Sequence, residues 1–312
     1  MTMNNDMAFI VGLPRTGSTL LRTILNKSDR VCITMETHFL HQFSRIGKKK
    51  EINQYGSLLQ DANVERLLED FFSPENARGK DFWAWLTKNV DREDFRRRLL
   101  STNRTDLDIF NLLMQVYTEW KKGAVTGDMI LGEKTSANIY YIPTLMEWYP
   151  DMKIIHTFRD PRGIFLSAAK LAKAGKWGVR KKISRLPDQL VNTAIDFGMA
   201  MYVSKRWWDA AKLHQVYQRQ YPDRYLLVRF EDMLQDPEIN LRNVCDFLKI
   251  PFEVSMLEEV DVVGSSYSSQ RIVPGGFDQK AADRWREHIH PFFDTWFALL
   301  GAKKLKTFGY VP

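Results

Sequence analysis

Residues 9–25 read FIVGLPRTGSTLLRTIL, and this stretch decides the fold. The apolar run Phe9-Ile10-Val11 stops at Gly12. A loop of Gly, Pro and small hydroxyl residues follows, and Leu20, Leu21, Ile24 and Leu25 then recur at helical spacing. Strand, phosphate-sized loop and helix in that order predict an anion site, because the first amides of a helix are unpaired and carry partial positive charge. Gly17 lets the backbone approach a ligand closely, Thr16, Ser18 and Thr19 add hydroxyl donors, and Arg15 adds a full charge. An ordinary strand-to-helix turn is the plainer alternative, and the density of donors counts against it.

A Walker A loop requires Gly, four residues, Gly, Lys and then Ser or Thr. Gly12 and Gly17 keep that separation, but Ser18 stands where the lysine belongs and the cation has moved to Arg15. A guanidinium fork suits several oxygens at once, whereas the loop lysine acts as a point charge. The expected ligand therefore bears phosphate but is not a nucleoside triphosphate with its metal.

At 312 residues the chain can bury a substantial core, and nothing in it forces a second domain. With 44% apolar and 27% charged residues it falls outside the disordered class. Lys and Arg number 45 against 38 Asp and Glu, a net charge of +7 that favours anionic ligands without choosing among them. Two cysteines, Cys32 and Cys245, make neither a disulfide framework nor a zinc site, which points to a reducing compartment. The amino-terminal apolar run is too short for a signal peptide, and no segment reaches the ~18 uninterrupted apolar residues of a membrane helix. The expectation is a cytoplasmic protein without a membrane span.

Short apolar runs alternate with amphipathic stretches. Strands are expected at 8–11, 129–131, 153–158 and 225–230, and helices at 18–26, 139–148, 161–174, 190–217, 237–248 and 281–300. Strands separated by helices predict an α/β fold, a parallel sheet covered on both faces with ligands at the carboxyl ends of the strands. Asp236-Pro237 reads as a capping carboxylate with proline at the first helical position. Residues 48–125 are polar, helix-like and interrupted, with an aromatic knot at Phe82, Trp83 and Trp85. They read as a helical insertion within one domain spanning residues 1–312, and core packing is the favoured use of the knot over an acceptor wall.

A second anion site follows the run Lys153-Ile154-Ile155-His156-Thr157-Phe158, which ends in Arg159-Asp160-Pro161-Arg162 before a helix starts. In metal-dependent NTPases the equivalent strand often ends in an acid that helps hold magnesium. Here the first charged residue is the cation Arg159, and Ser167, two helical turns further on, can donate to the same ligand. The bland alternative is a surface ion pair between Arg159 and Asp160, with Ser167 solvated.

Together the two sites resemble the sulfotransferases that use 3′-phosphoadenosine 5′-phosphosulfate (PAPS). GLPRTGSTLLR is similar to their 5′-phosphosulfate loop and FRDPRGIFLS to their 3′-phosphate motif. VRFEDMLQDP and DRWREHI are similar to further family segments, so the resemblance spans about residues 8–175 and 222–290. It implies a P-loop-like three-layer α/β/α fold, with Arg15, Thr16, Gly17, Ser18 and Thr19 on the 5′ phosphate and sulfuryl group and Arg159 and Ser167 on the 3′ phosphate. Arg271, in the Ser/Gly-rich segment 264–276, is the candidate to close over the 3′ phosphate as part of a lid.

The tyrosylprotein sulfotransferases supply the nearest pattern. Their catalytic base falls on Glu36, and the lysine that assists their leaving group falls on Lys134. Those enzymes are membrane-anchored, luminal and disulfide-bonded, and a tyrosine expected near the end of their YE segment is Phe230 here, so tyrosine specificity is not implied. Glu36 would accept the acceptor hydroxyl's proton, and partial burial is expected to raise its pKa and improve it as a base. Arg15 and Lys134 would stabilise charge on the transferring and departing groups. No metal is expected. The acceptor hydroxyl belongs to a small molecule, glycan, lipid or peptide, and nucleic acid is disfavoured as a partner. A P-loop kinase using ATP and magnesium and a polyanion-binding protein are the alternatives. The missing loop lysine and Arg159 oppose the first. Only the net charge and the basic residues between 170 and 185 favour the second. His288 and His290 are expected to cap or line the last helix.

Overall fold

Five strands carry the architecture: β1 (Asp6–Gly12), β2 (Val31–Thr34), β3 (Ile130–Lys134), β4 (Lys153–Phe158) and β5 (Tyr225–Arg229). This is a computed structural model, and it describes residues 5–73, 80–175, 187–258 and 277–311. The sheet runs β2-β3-β1-β4-β5 and is parallel, with helices around it. In register, Asp6 to Ile10 of β1 lie beside Ile130 to Lys134 of β3, and Val31 to Thr34 of β2 beside Ile130 to Glu133. Such strands are covered on both faces, which is why β1, β2 and β3 are buried almost throughout. The P-loop-like α/β expectation holds.

The chain divides into two compact units, Met1–Val11 with Arg22–Ile155 and Gly12–Leu21 with His156–Pro312. In the first unit, helix Asp106–Lys122 covers one face of the sheet. Phe110 stacks on Phe9 of β1 at 6.1 Å and on Phe39 at 5.7 Å. That helix begins in a capping box between Thr105 and Asp108, which satisfies amides that a helix start leaves orphaned. Helices Asp61–Phe71, Lys80–Asn89 and Arg92–Leu100 precede it, within the stretch expected to be helical. Phe82, Trp83 and Trp85 are buried there: Trp83 lies 4.6 Å from Phe71 and Trp85 4.9 Å from Tyr117, ring to ring, as the core reading requires.

Three boundaries in this unit depart from expectation. β2 was not anticipated, since Val-Cys-Ile-Thr is only four residues long. β3 runs on to Lys134 because Glu133 and Lys134, although ionisable, continue the buried strand. Residues 139–148 are a 3-10 turn, Ser136–Tyr140, followed by helix Ile142–Trp148.

The second unit contains helices Pro161–Lys173, Asp188–Gln220, Pro237–Leu248 and Pro291–Thr307. Asp160 caps the first of these, accepting from the Arg162 amide at 2.8 Å. Pro237 takes the first helical position as read, but the Asp236 side chain makes no capping bond. β5 stops at Arg229, and Phe230 opens the next helix, Phe230–Gln235. The single helix expected at 281–300 is three pieces: Lys280–Asp283, Trp285–His288 and Pro291–Thr307. Pro291 cannot continue a preceding helix, and the His290 side chain caps the new one by accepting from the Phe292 amide at 3.2 Å. Among the described residues no helix is long and apolar enough to cross a membrane.

Candidate functional site

The loop after β1 lies in the second unit. Gly12 (φ 138°) and Gly17 (φ 82°) both occupy backbone conformations that side chains avoid. Each is also sterically confined. A Cβ on Gly12 would fall 2.3 Å from the Thr157 carbonyl oxygen, and one on Gly17 2.5 Å from the Phe230 ring. Arg15 shares the left-handed region at φ 74°. Within this turn the Thr16 hydroxyl donates to the Leu13 carbonyl at 2.7 Å and meets the Thr157 hydroxyl at 2.7 Å. Thr16 is buried, so its hydroxyl is used to close the loop rather than offered outward. Ser18 is buried at the first position of helix Ser18–Leu25, and Thr19 is half-buried beside it.

The structure brings Arg15, Arg159 and Ser167 together. Arg15 Nε donates to Ser167 Oγ at 2.7 Å, and Arg159 Nη1 donates to the Arg15 carbonyl at 3.1 Å. Arg159 Nη2 donates to the Ala281 carbonyl at 2.9 Å, and its guanidinium lies 4.1 Å over the Phe230 ring. Phe230 therefore walls the loop at Gly17 and stacks under Arg159, with no phenol to offer. Burial pulls the Arg15 guanidinium below its ordinary value. Asp160 pairs with Arg162 at 2.8 Å, Arg162 is itself buried against Trp285, and Ser167 is buried, so the bland reading of this motif does not hold. Arg162 is a packing residue.

Glu36 and Lys134 meet in the first unit. Lys134 ends β3, and Glu36 lies just past the end of the neighbouring strand β2. Lys134 Nζ donates to Glu36 Oε1 at 2.7 Å, Ser136 Oγ approaches the same oxygen at 3.4 Å, and His38 Nε2 is 3.3 Å from Oε2. Lys134 is buried rather than a solvated strand-end lysine. The expected rise in the Glu36 pKa is overturned. Burial does push the carboxyl up, but the hydrogen bond from His38 and the charge and hydrogen bond of Lys134 outweigh it and bring it down to about 2.

The residue that sequence reasoning missed is Glu133, fully buried next to Lys134. Its Oε1 accepts from the Thr37 amide at 2.8 Å, from the Thr37 hydroxyl and from the Thr135 hydroxyl at 2.6 Å, and its Oε2 accepts from Asn138 Nδ2 at 2.6 Å. Burial pushes this carboxyl up, and the bonds from Thr135, Thr37 and Asn138 pull against that shift. The available signal was an acid and a lysine closing an otherwise apolar strand, with threonine directly after.

Arg271, the 264–276 segment and residues 176–186 of the basic stretch lie outside the described residues. Lys173 pairs with Asp196 at 2.6 Å. Among the described residues no group of three or more His, Cys, Asp or Glu side chains is placed to hold a metal ion.

Comparison with known proteins adds a family. The model described as "Sulfotransferase family" matches residues 8–254. The omega-hydroxy-beta-dihydromenaquinone-9 sulfotransferase Stf3 of Mycobacterium bovis, and that of Mycobacterium tuberculosis, are each 28% identical over 143 residues, covering 45% of this chain and 32% of theirs. The chain thus spans about a third of the length of the curated relatives it matches. Two solved structures share the fold. The sulfotransferase domain of the Synechococcus PCC 7002 olefin synthase is 22% identical with a TM-score of 0.58, over 99% of this chain and 96% of that one. The sulfotransferase domain from the curacin biosynthetic pathway is 19% identical with a TM-score of 0.57, over 99% of both.

Proposed function

This chain belongs to the sulfotransferase family, and from that premise we propose that it moves a sulfuryl group from PAPS to an acceptor hydroxyl. The observation that carries the proposal is the gathering of Arg15, Arg159 and Ser167 around a glycine-pinched loop. Two guanidiniums and a buried hydroxyl form a cradle for phosphate oxygens at the start of helix Ser18–Leu25, where the amides add partial positive charge. The half-buried Arg15 carries a desolvation cost that an anionic ligand would offset. The loop amides, Gly17, Ser18, Thr19 and Arg15 are assigned to the 5′ phosphate and sulfuryl group, Arg159 and Ser167 to the 3′ phosphate, and Arg271 remains a candidate for the latter. The Thr16 hydroxyl, already committed to Leu13, leaves Thr16 only its main chain for that work.

Sulfuryl transfer passes a group in line between two oxygens, so positioning and charge neutralisation carry most of the catalysis. Glu36 is assigned as the base: it takes the acceptor proton as the new S–O bond forms and the bond to the 5′ phosphate breaks, releasing adenosine 3′,5′-bisphosphate. At about 2 its resting pKa makes it a weak base. His38 and Lys134 together set that weakness. Engaging Lys134 with charge on the departing oxygen would strip Glu36 of its nearest cation and raise its basicity as transfer proceeds. The first acceptor to try is a lipid alcohol, the class in the name of the mycobacterial relatives. Small-molecule, glycan and peptide hydroxyls complete the screen.

Thermal-shift titration with adenosine 3′,5′-bisphosphate, ATP–magnesium and an oligonucleotide tests the reading, since a ligand that binds the native state stabilises it by mass action. Stabilisation by the bisphosphate without metal, followed by EDTA-insensitive movement of label from PAPS to an extract of the source cell, is the expected result. Preference for ATP–magnesium would establish the kinase instead.

A further inference from the structure

We infer that Glu133 is the positioning residue that sets the Glu36–Lys134 pair, by clamping the chain directly after Glu36 to the turn directly after Lys134. The inference rests on the catalytic roles proposed above for those two residues. The clamp follows from which atoms can donate. The Thr37 amide and the Asn138 side-chain nitrogen can only donate, and each addresses a different oxygen of Glu133. The Thr37 hydroxyl accepts from the Phe39 amide at 3.0 Å, so its own proton goes to Glu133. The Thr37 carbonyl in turn accepts from Trp83 Nε1 at 3.0 Å. Thr37 is thereby held at its amide, hydroxyl and carbonyl, and the peptide that carries Glu36 has no freedom to turn.

The same carboxylate holds the other partner. Thr135 and Asn138, in the turn after Lys134, both donate to it, and Glu133 itself is locked in β3 opposite Thr34 of β2. One buried group thus fixes the two segments whose side chains meet at 2.7 Å. A glutamine could keep the clamp, because the Asn138 side chain has an unpartnered Oδ1 to turn toward its NH2, whereas methionine, of similar length, offers an acceptor to neither segment and would open both sides.

The direct test is an isotope-edited NMR titration of the Glu36 carboxyl, which faces Lys134, His38 and Ser136. In the unaltered protein Glu36 should remain ionised down to about pH 4, where an ordinary glutamate of pKa ~4.3 is already more than half protonated. In Glu133→Met the loosened pair should let Glu36 titrate toward that ordinary range, while affinity for adenosine 3′,5′-bisphosphate stays within about two-fold and turnover falls by about 10–100-fold, as small misplacements of reacting groups do. A Glu36 titration unchanged in a folded Glu133→Met protein overturns the inference. If that variant does not fold, Thr37→Val and Thr37→Ser decide. Raised titration in the valine variant with restoration by serine supports the clamp, and identical titrations in both overturn it. Full turnover in Glu36→Gln would instead defeat the catalytic roles, and it leaves the titration result standing.

Discussion

The loop after β1, proposed to hold an anion, and the Glu36–Lys134 pair are built in opposite ways. The loop of the second unit is local: Gly12, Arg15, Thr16 and Gly17 are neighbours in the chain, and Gly12 and Gly17 leave no room for a side chain against Thr157 and Phe230. Its cations lie over carbonyls, a hydroxyl and an aromatic ring. The pair of the first unit is assembled from distant segments, each placed by the end of a parallel strand and held by a third, buried carboxylate. A grip for a fixed anion can be made from backbone geometry and preset charge. The proton transfer proposed for Glu36 needs a carboxylate whose basicity changes, and Glu36, held near 2 by a histidine and a lysine, has room to change.

Separating the two proposed functions by mutation sharpens the contrast. Glu36→Gln should lower turnover by about 10²–10⁴-fold, the usual cost of losing a general base, and leave bisphosphate affinity unaltered. Radiolabel transfer and calorimetry on one preparation check both halves. Gly17→Ala tests the steric side of the grip: a left-handed φ and overlap with Phe230 should cost about 1–3 kcal/mol by urea unfolding. Loss of stability confined to a few tenths of a kcal/mol would show that the ring yields.

The pair can also be followed by pH. Glu36 has a folded pKa below its unfolded one, so the stability it contributes is complete above about pH 4.5 and is lost as pH falls toward 2. Lys134→Met should flatten that part of the acid limb in a series of denaturation curves, and an unchanged limb would remove the ion pair from the account. Trp83→Phe is the mildest change. It deletes one hydrogen bond to the Thr37 carbonyl and should cost about 0.5–1.5 kcal/mol, with the aromatic cluster otherwise retained.

The same contrast explains what could be read in advance. Contiguous residues announced the loop, because strand, glycine turn and amphipathic helix each leave a local trace, and Arg159 stood out as a cation at a strand end. Lys134 and Glu36 were reached through a family pattern. Nothing in their own neighbourhoods disclosed that β2 exists or that it pairs with β3. The direction of the Glu36 shift was misjudged because burial was visible in outline, whereas the two opposing donors depend on tertiary placement. Glu133 went unnoticed because acids inside strands usually mark an edge, and its four donors come from two segments that only the fold brings together. The helix expected near 281–300 broke at a proline that the sequence displayed openly, Pro291.

The most direct measurement is the calorimetric affinity for adenosine 3′,5′-bisphosphate, without metal, in the unaltered protein, Arg15→Ala and Glu36→Gln. Binding about 10²-fold weaker in Arg15→Ala is predicted from losing charge-assisted bonds of about 1.5–3 kcal/mol, with Glu36→Gln unchanged. Equal affinities in all three proteins, or no binding to the unaltered one, would contradict the account.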